Sequence, residues 1–120
     1  MGLFNFEKVE LWKLAIELAK EIAYITANFP VEVRYGLTGD IMRAVLSITA
    51  NIKRAMNSEE KADKLSFINL AYQEVNQLTG LLNTAVEAGF LEVDTCQDLK
   101  AKSAEISIQL TSLHITIKEN

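Results

Sequence analysis

Residues 35–55 read YGLTGDIMRAVLSITANIKRA, and their periodicity decides the fold. Ile41, Ala44, Val45, Ile48, Ile52 and Ala55 recur at steps of three and four, as one face of an α-helix requires. At about 100° per residue, with Ile41 at zero, this apolar line lies between about 300° and 60°. Asp40, Arg43, Ser47, Asn51 and Arg54 form a polar line between about 200° and 280°. Met42, Leu46 and Thr49 fill about 80° to 140°. More than half the circumference is therefore apolar or neutral, wider than the roughly 100° stripe of a surface helix in a monomer. Such an excess suits a subunit contact. Asn51 and Ser47, beside the core line, can fix helix register through buried hydrogen bonds.

Upstream, Leu11, Leu14, Ala15, Leu18, Ile22 and Ile25 give Glu7 to Asn28 the same helical spacing, with Glu10, Lys13, Glu17, Lys20 and Glu21 on the far side. A second apolar line, Val9, Trp12, Ile16, Ala19 and Ala23, widens the buried sector. Phe29-Pro30 ends this helix, because proline pushes its predecessor out of the α region. The second helix is predicted from near Val31 to about Met56, with a disturbance at Gly36 or Gly39.

Downstream, Asn57 precedes Glu60 by the spacing of a capping box. Leu65, Ile68, Tyr72, Val75, Thr79, Leu82 and Val86 then define the core line of a third helix, which stops around Gly89. Asp94 with Gln97 predicts the cap of a fourth helix, buried through Leu99, Ile106, Leu110, Leu113 and Ile117. Four helices with short connections imply an all-α, up-down-up-down antiparallel four-helix bundle, a single domain over residues 1–120. The composition agrees: 49% hydrophobic and 23% charged residues, with one proline and five glycines.

The inventory argues against an enzyme. Cys96 is the only cysteine and His114 the only histidine, so one chain can form neither a disulfide nor a Cys/His metal cluster. No phosphate-binding glycine loop, Glu-x-x-His pair or Ser/His/Asp set is present, and no catalytic residue, metal or cofactor is expected. Cys96 reads as a small structural residue, His114 as a partly buried or interfacial one, and Phe67 and Tyr72 as core. Glu59, Glu60 and Asp63 suit a solvated helix start. No apolar run approaches the roughly 18 residues of a membrane span, and no signal-like leader opens the chain. A cytoplasmic location without membrane partners is expected.

The net charge of −4 opposes nonspecific attraction to nucleic acid. Its distribution is uneven: residues 31–57 carry four bases against two acids, and residues 58–120 ten acids against five bases. Within the second helix, the polar line can therefore face phosphates or another protein.

Several short motifs in order give a resemblance over nearly the whole chain. Phe29-Pro30, Tyr35-Gly36-Leu37-Thr38, Arg43-Ala44, Ser47-Ile48 and Ala50-Asn51-Ile52 resemble the hallmark of the bacterial four-helix-bundle proteins encoded by intervening sequences in 23S rRNA genes. FEKVELWKLAIEL is similar to that family's first helix, and Asn69 to Ala85, followed by GFLE, matches its third in spacing. The resemblance implies a ribosome-associated homo-oligomer, a pentamer, without catalytic activity. It also implies kinship with accessory proteins of diversity-generating retroelements, which are basic and bind nucleic acid and reverse transcriptase. The present sequence departs from the family at Asp40, where Gln is usual, at Lys53-Arg54-Ala55, where Ala-Glu-Gly is usual, and at Gln77, where Glu is usual. Asp40, Arg43, Ser47, Asn51, Arg54 and Gln77 form the candidate interaction surface. It would engage either RNA or a nucleic-acid-binding protein, or neighbouring subunits with no nucleic acid involved.

Overall fold

Apolar residues at three- and four-residue spacing drive four long helices to bury those faces against one another. The computed structural model describes residues 2–120, with side chains from Glu7 onward. Helix α1 spans Gly2–Thr26, α2 Gly39–Asn57, α3 Lys61–Glu87 and α4 Val93–Glu119. A 3-10 turn, Val31–Val33, and a π-helical turn, Arg34–Thr38, join α1 to α2. Contacts run from α1 to α2, α2 to α3, α3 to α4 and α1 to α4, closing an antiparallel bundle of 46 × 24 × 18 Å.

The predicted core of α2 is buried throughout: Ile41, Ala44, Val45, Ile48, Ile52 and Ala55. The predicted line of α4 is buried too, and Cys96 and Ser103 join it. On α1, Leu11, Ala15, Leu18 and Ile22 are buried while Leu14 and Ile25 pack partly against the core. The α3 line is different. Its buried residues are Ile68, Ala71, Val75, Leu78, Leu82 and Ala85, whereas Tyr72 is 40% exposed and Thr79 and Val86 are only half-buried. Sequence reading followed the larger side chains. The bundle instead turns Ala71 and Ala85 inward on a helix that shares its most extensive contact with α2, where small residues let backbones approach.

The helix ends also differ from the capping boxes. Asn57 is the last residue of α2, Glu60 and Glu92 occupy the N-cap positions of α3 and α4, and neither makes a side-chain cap. Asp94 contributes through its charge in the first turn of α4. Ser58 closes α2, its amide and its hydroxyl both donating to the Arg54 carbonyl, at 3.0 and 2.7 Å. At the end of α3, Gly89 adopts φ 83°, the left-handed region that costs glycine least. The Phe90 amide reaches Ala85 at 3.0 Å and the Gly89 amide reaches Val86 at 3.0 Å, the two bonds of a Schellman ending.

The first corner is tighter than expected. Helix α1 stops at Thr26, and the Asn28 and Phe29 amides bond to Ile25 and Thr26 at 3.2 and 3.0 Å. The expected disturbance falls at Gly36, with φ −98° and ψ −107°, while Gly39 is helical. A side chain at Gly39 would approach the Arg34 carbonyl to 3.1 Å, so that glycine serves close packing. The Phe29 ring stacks at a tilt on Phe90, centroids 5.9 Å apart, tying this corner to the α3–α4 corner. An ion pair between Lys102 and Glu21 links α4 to α1.

The wide apolar sectors of α1 and α2 are partly consumed within the monomer. Ala19 and Thr49 are buried, and Lys53 of α2 lies 4.8 Å above the half-buried Trp12 ring of α1. Val9 and Leu46 remain exposed on these helices. Because Leu78 is fully buried and Trp12 is not, Leu78→Ala is expected to cost about 2–5 kcal/mol and Trp12→Ala about 2–3 kcal/mol, below a fully buried aromatic. Denaturant unfolding of both variants checks the order; an unchanged midpoint for Leu78→Ala would contradict this packing.

Candidate interaction surface on the second helix

The polar line of α2 begins in its first turn with Asp40 and ends in its last with Arg54, each charge matched to the helix dipole. Asp40 pairs with Arg43 one turn on; their side chains are 48% and 72% exposed. A pair this open contributes about 0–1 kcal/mol. Farther along, the Asn51 amide group donates to the Ser47 carbonyl at 3.0 Å and to the Ser47 hydroxyl at 3.2 Å. Its side-chain oxygen accepts from the Arg54 guanidinium at 3.3 Å. Asn51 is 4% exposed, so these bonds satisfy a buried amide. Ser47–Asn51–Arg54 is thus a chain of hydrogen bonds running down one helix.

A groove of about 560 Å³ gathers Asp40, Arg43, Ala44 and Ser47 of α2 with Glu74, Gln77 and Leu81 of α3. Four of the six sequence-derived candidates, Asp40, Arg43, Ser47 and Gln77, therefore share one concavity. Asn51 and Arg54 lie along the same helix beyond it. Glu74 was missed, since an isolated glutamate reads as a solvated charge until a neighbouring helix places it. Its presence decides the sign of the site: two carboxylates flank one guanidinium, which Asp40 already engages.

Around the Arg54 end, Lys64 donates to the Ala55 carbonyl at 3.5 Å. Lys8 of α1 is held below its ordinary lysine value, first by burial and second by the charge of Lys64. Elsewhere, Cys96 is buried with its sulfur 4.0 Å from the Asn83 side-chain oxygen. His114 is half-buried in a groove between α3 and α4 that Tyr72 and Ile115 also line. Among the described residues, no group of three or more His, Cys, Asp or Glu could hold a metal ion, and no helix is long and apolar enough to cross a membrane.

The family model described as 23S rRNA-intervening sequence protein matches residues 7–112. A crystal structure of a protein of unknown function from the S23 ribosomal protein family of Bacteroides thetaiotaomicron VPI-5482 superposes with a TM-score of 0.83 at 23% identity. The match covers 93% of this chain and 98% of that one. Comparison with curated proteins gives no match.

The two halves of the polar line differ in their expected contribution to stability. Asn51→Ala removes a buried amide together with its bonds to the half-buried Ser47 and the exposed Arg54, and is expected to cost about 1–3 kcal/mol. Arg43→Ala is expected to cost at most about 1 kcal/mol. Thermal and urea unfolding of the two variants measures the difference, and equal losses would refute the assignment.

Proposed function

The chain belongs to the 23S rRNA-intervening sequence protein family, and from that premise we propose that it is a non-enzymatic, homo-oligomeric interaction module. Its α2–α3 polar groove takes a protein surface, whether a neighbouring subunit or a partner that itself binds nucleic acid. The observation that carries this reading is the commitment of the two arginines. Arg43 is paired with Asp40 beside Glu74, and Arg54 is bonded to Asn51. A phosphate-binding face needs uncommitted cations in a row, and a polyanion approaching this groove meets two carboxylates first. Ser47 and Gln77 between the charges supply the neutral donors and acceptors that protein contacts favour. The family resemblance adds the expectation of a pentamer in the cytoplasm.

Direct RNA binding is the competing reading, and the exposure of Arg43 and Arg54 is what favours it. A fluorescence titration of a hairpin RNA across a salt series separates the two. The expected outcome is no measurable binding at about 0.15 M salt and no dependence on Arg43 or Arg54. Salt-sensitive binding, with a slope that falls by about two in Arg43→Ala/Arg54→Ala while assembly is kept, would overturn the protein-contact reading.

A further inference from the structure

Charge is distributed over this bundle in a way its core does not require. Between Leu65 and Val86 of α3 the single charged side chain is Glu74, and between Ser103 and Ile117 of α4 it is Glu105. Glu74 is accounted for in the groove against α2. At about 100° per residue, Glu105 lies roughly 60–80° from Ile108 and Ile115, toward α1. Lys100 of α4 reaches across to the Asn83 side-chain oxygen of α3 at 3.1 Å. From Ser103 onward the surface that α4 shares with α3 is left without a formal charge, although seven charged residues stud α1 between Glu7 and Glu21.

The same surface carries an apolar seam. Ala101, Ala104, Ile108, Thr111 and Ile115 follow one another at steps of three, four, three and four, and all are exposed. Ile108 is 64% and Ile115 51% exposed, and Tyr72 of α3, at 40%, lines one groove with Ile115. A three-four repeat is the pattern by which one helix seats against another, yet among the described residues no helix covers it. Asp98 and Lys102 fall to the side of the seam, and Lys118 lies beyond its end.

We propose that this α3–α4 face is where one copy of the chain docks on a second copy. Copies of a protein of net charge −4 meet little local repulsion where the facing surfaces lack charge, which suits an uncharged face to contact with another copy of the same molecule. The stretches Leu65 to Val86 of α3 and Ser103 to Ile117 of α4, each helix about 10 Å wide, present about 550 Å², the core of a contact to which each partner gives roughly 800 Å². Charge depletion with an exposed apolar centre is also the composition of an interface core. His114, otherwise without a role, then lies at the edge of the contact. The inference deepens the reading that the chain self-associates and moves the apolar contact away from α1 and α2, where the sequence placed it.

Light scattering behind size-exclusion chromatography tests it. The wild type is expected at a multiple of 13.4 kDa, and Ile108→Glu/Ile115→Glu at the monomer mass with unchanged helical circular dichroism. Thr111→Arg, a milder change at the centre of the seam, is expected to weaken assembly at least tenfold in midpoint concentration. Leu46→Glu, on the exposed edge of α2, is expected to keep the wild-type mass. A multimeric wild type whose Ile108/Ile115 and Thr111 variants keep full mass would overturn this interface alone. A wild type at 13.4 kDa would overturn self-association itself.

Discussion

The contact between α2 and α3 is the constraint from which the other features follow. It is the most extensive in the bundle, and both helices bring small residues to buried positions there: Ala44 and Ala55 on one, Ala71 and Ala85 on the other. Alanine loses no side-chain rotamer entropy on burial and lets two backbones approach, so isoleucine, leucine and valine at the intervening positions interdigitate densely. Fixing α3 on α2 sets its rotation, and that rotation puts Tyr72 outside, Glu74 and Gln77 beside the polar line, and the uncharged residues of α3 next to α4.

The same rotation explains why the polar line of α2 has two characters. Its lower half, Ser47, Asn51 and Arg54, is bonded within one helix around an amide that the core has taken in. Its upper half opens on a groove with α3 and keeps water-exposed charges. A buried amide with satisfied bonds defends register, because any slip strands it without partners in an apolar setting. An exposed pair in an open groove is free to exchange partners at little cost. Register-setting bonds and the proposed interaction surface thus occupy one helix face without competing.

At the opposite end of α2, the corner has a different economy. Phe29-Pro30 stops α1 and Gly36 absorbs the change of direction, while Phe29 against Phe90 joins the two corners at that end of the bundle. Tyr24, Val31 and Tyr35 stay open there, and at 79%, 62% and 91% exposure they contribute little to folding. Among the described residues, exposed apolar side chains gather at this corner and along the α4 seam, with Val9, Leu46, Leu70 and Val93 exposed elsewhere. Only the seam has helical regularity.

The sequence by itself determined the number of helices, the fold class, the break at Phe29-Pro30, and the buried lines of α2 and α4 residue by residue. Those lines are long, periodic and made of large aliphatic residues, so a single helix's spacing suffices to orient them. It also singled out Arg43, Ser47 and Asn51 as one row, since all three lie on a single helix. Tertiary structure alone decided the face of α3, where alanines outcompete Tyr72 and Thr79 for the interior, and the caps, where Glu60 and Glu92 replace the expected boxes. It alone brought Glu74 to Asp40 and Arg43, covered Trp12 with Lys53, and left Ile108 and Ile115 exposed. Periodicity states which way a helix face points, but burial and charge environment belong to pairs of elements, and a pair exists only once the chain has folded.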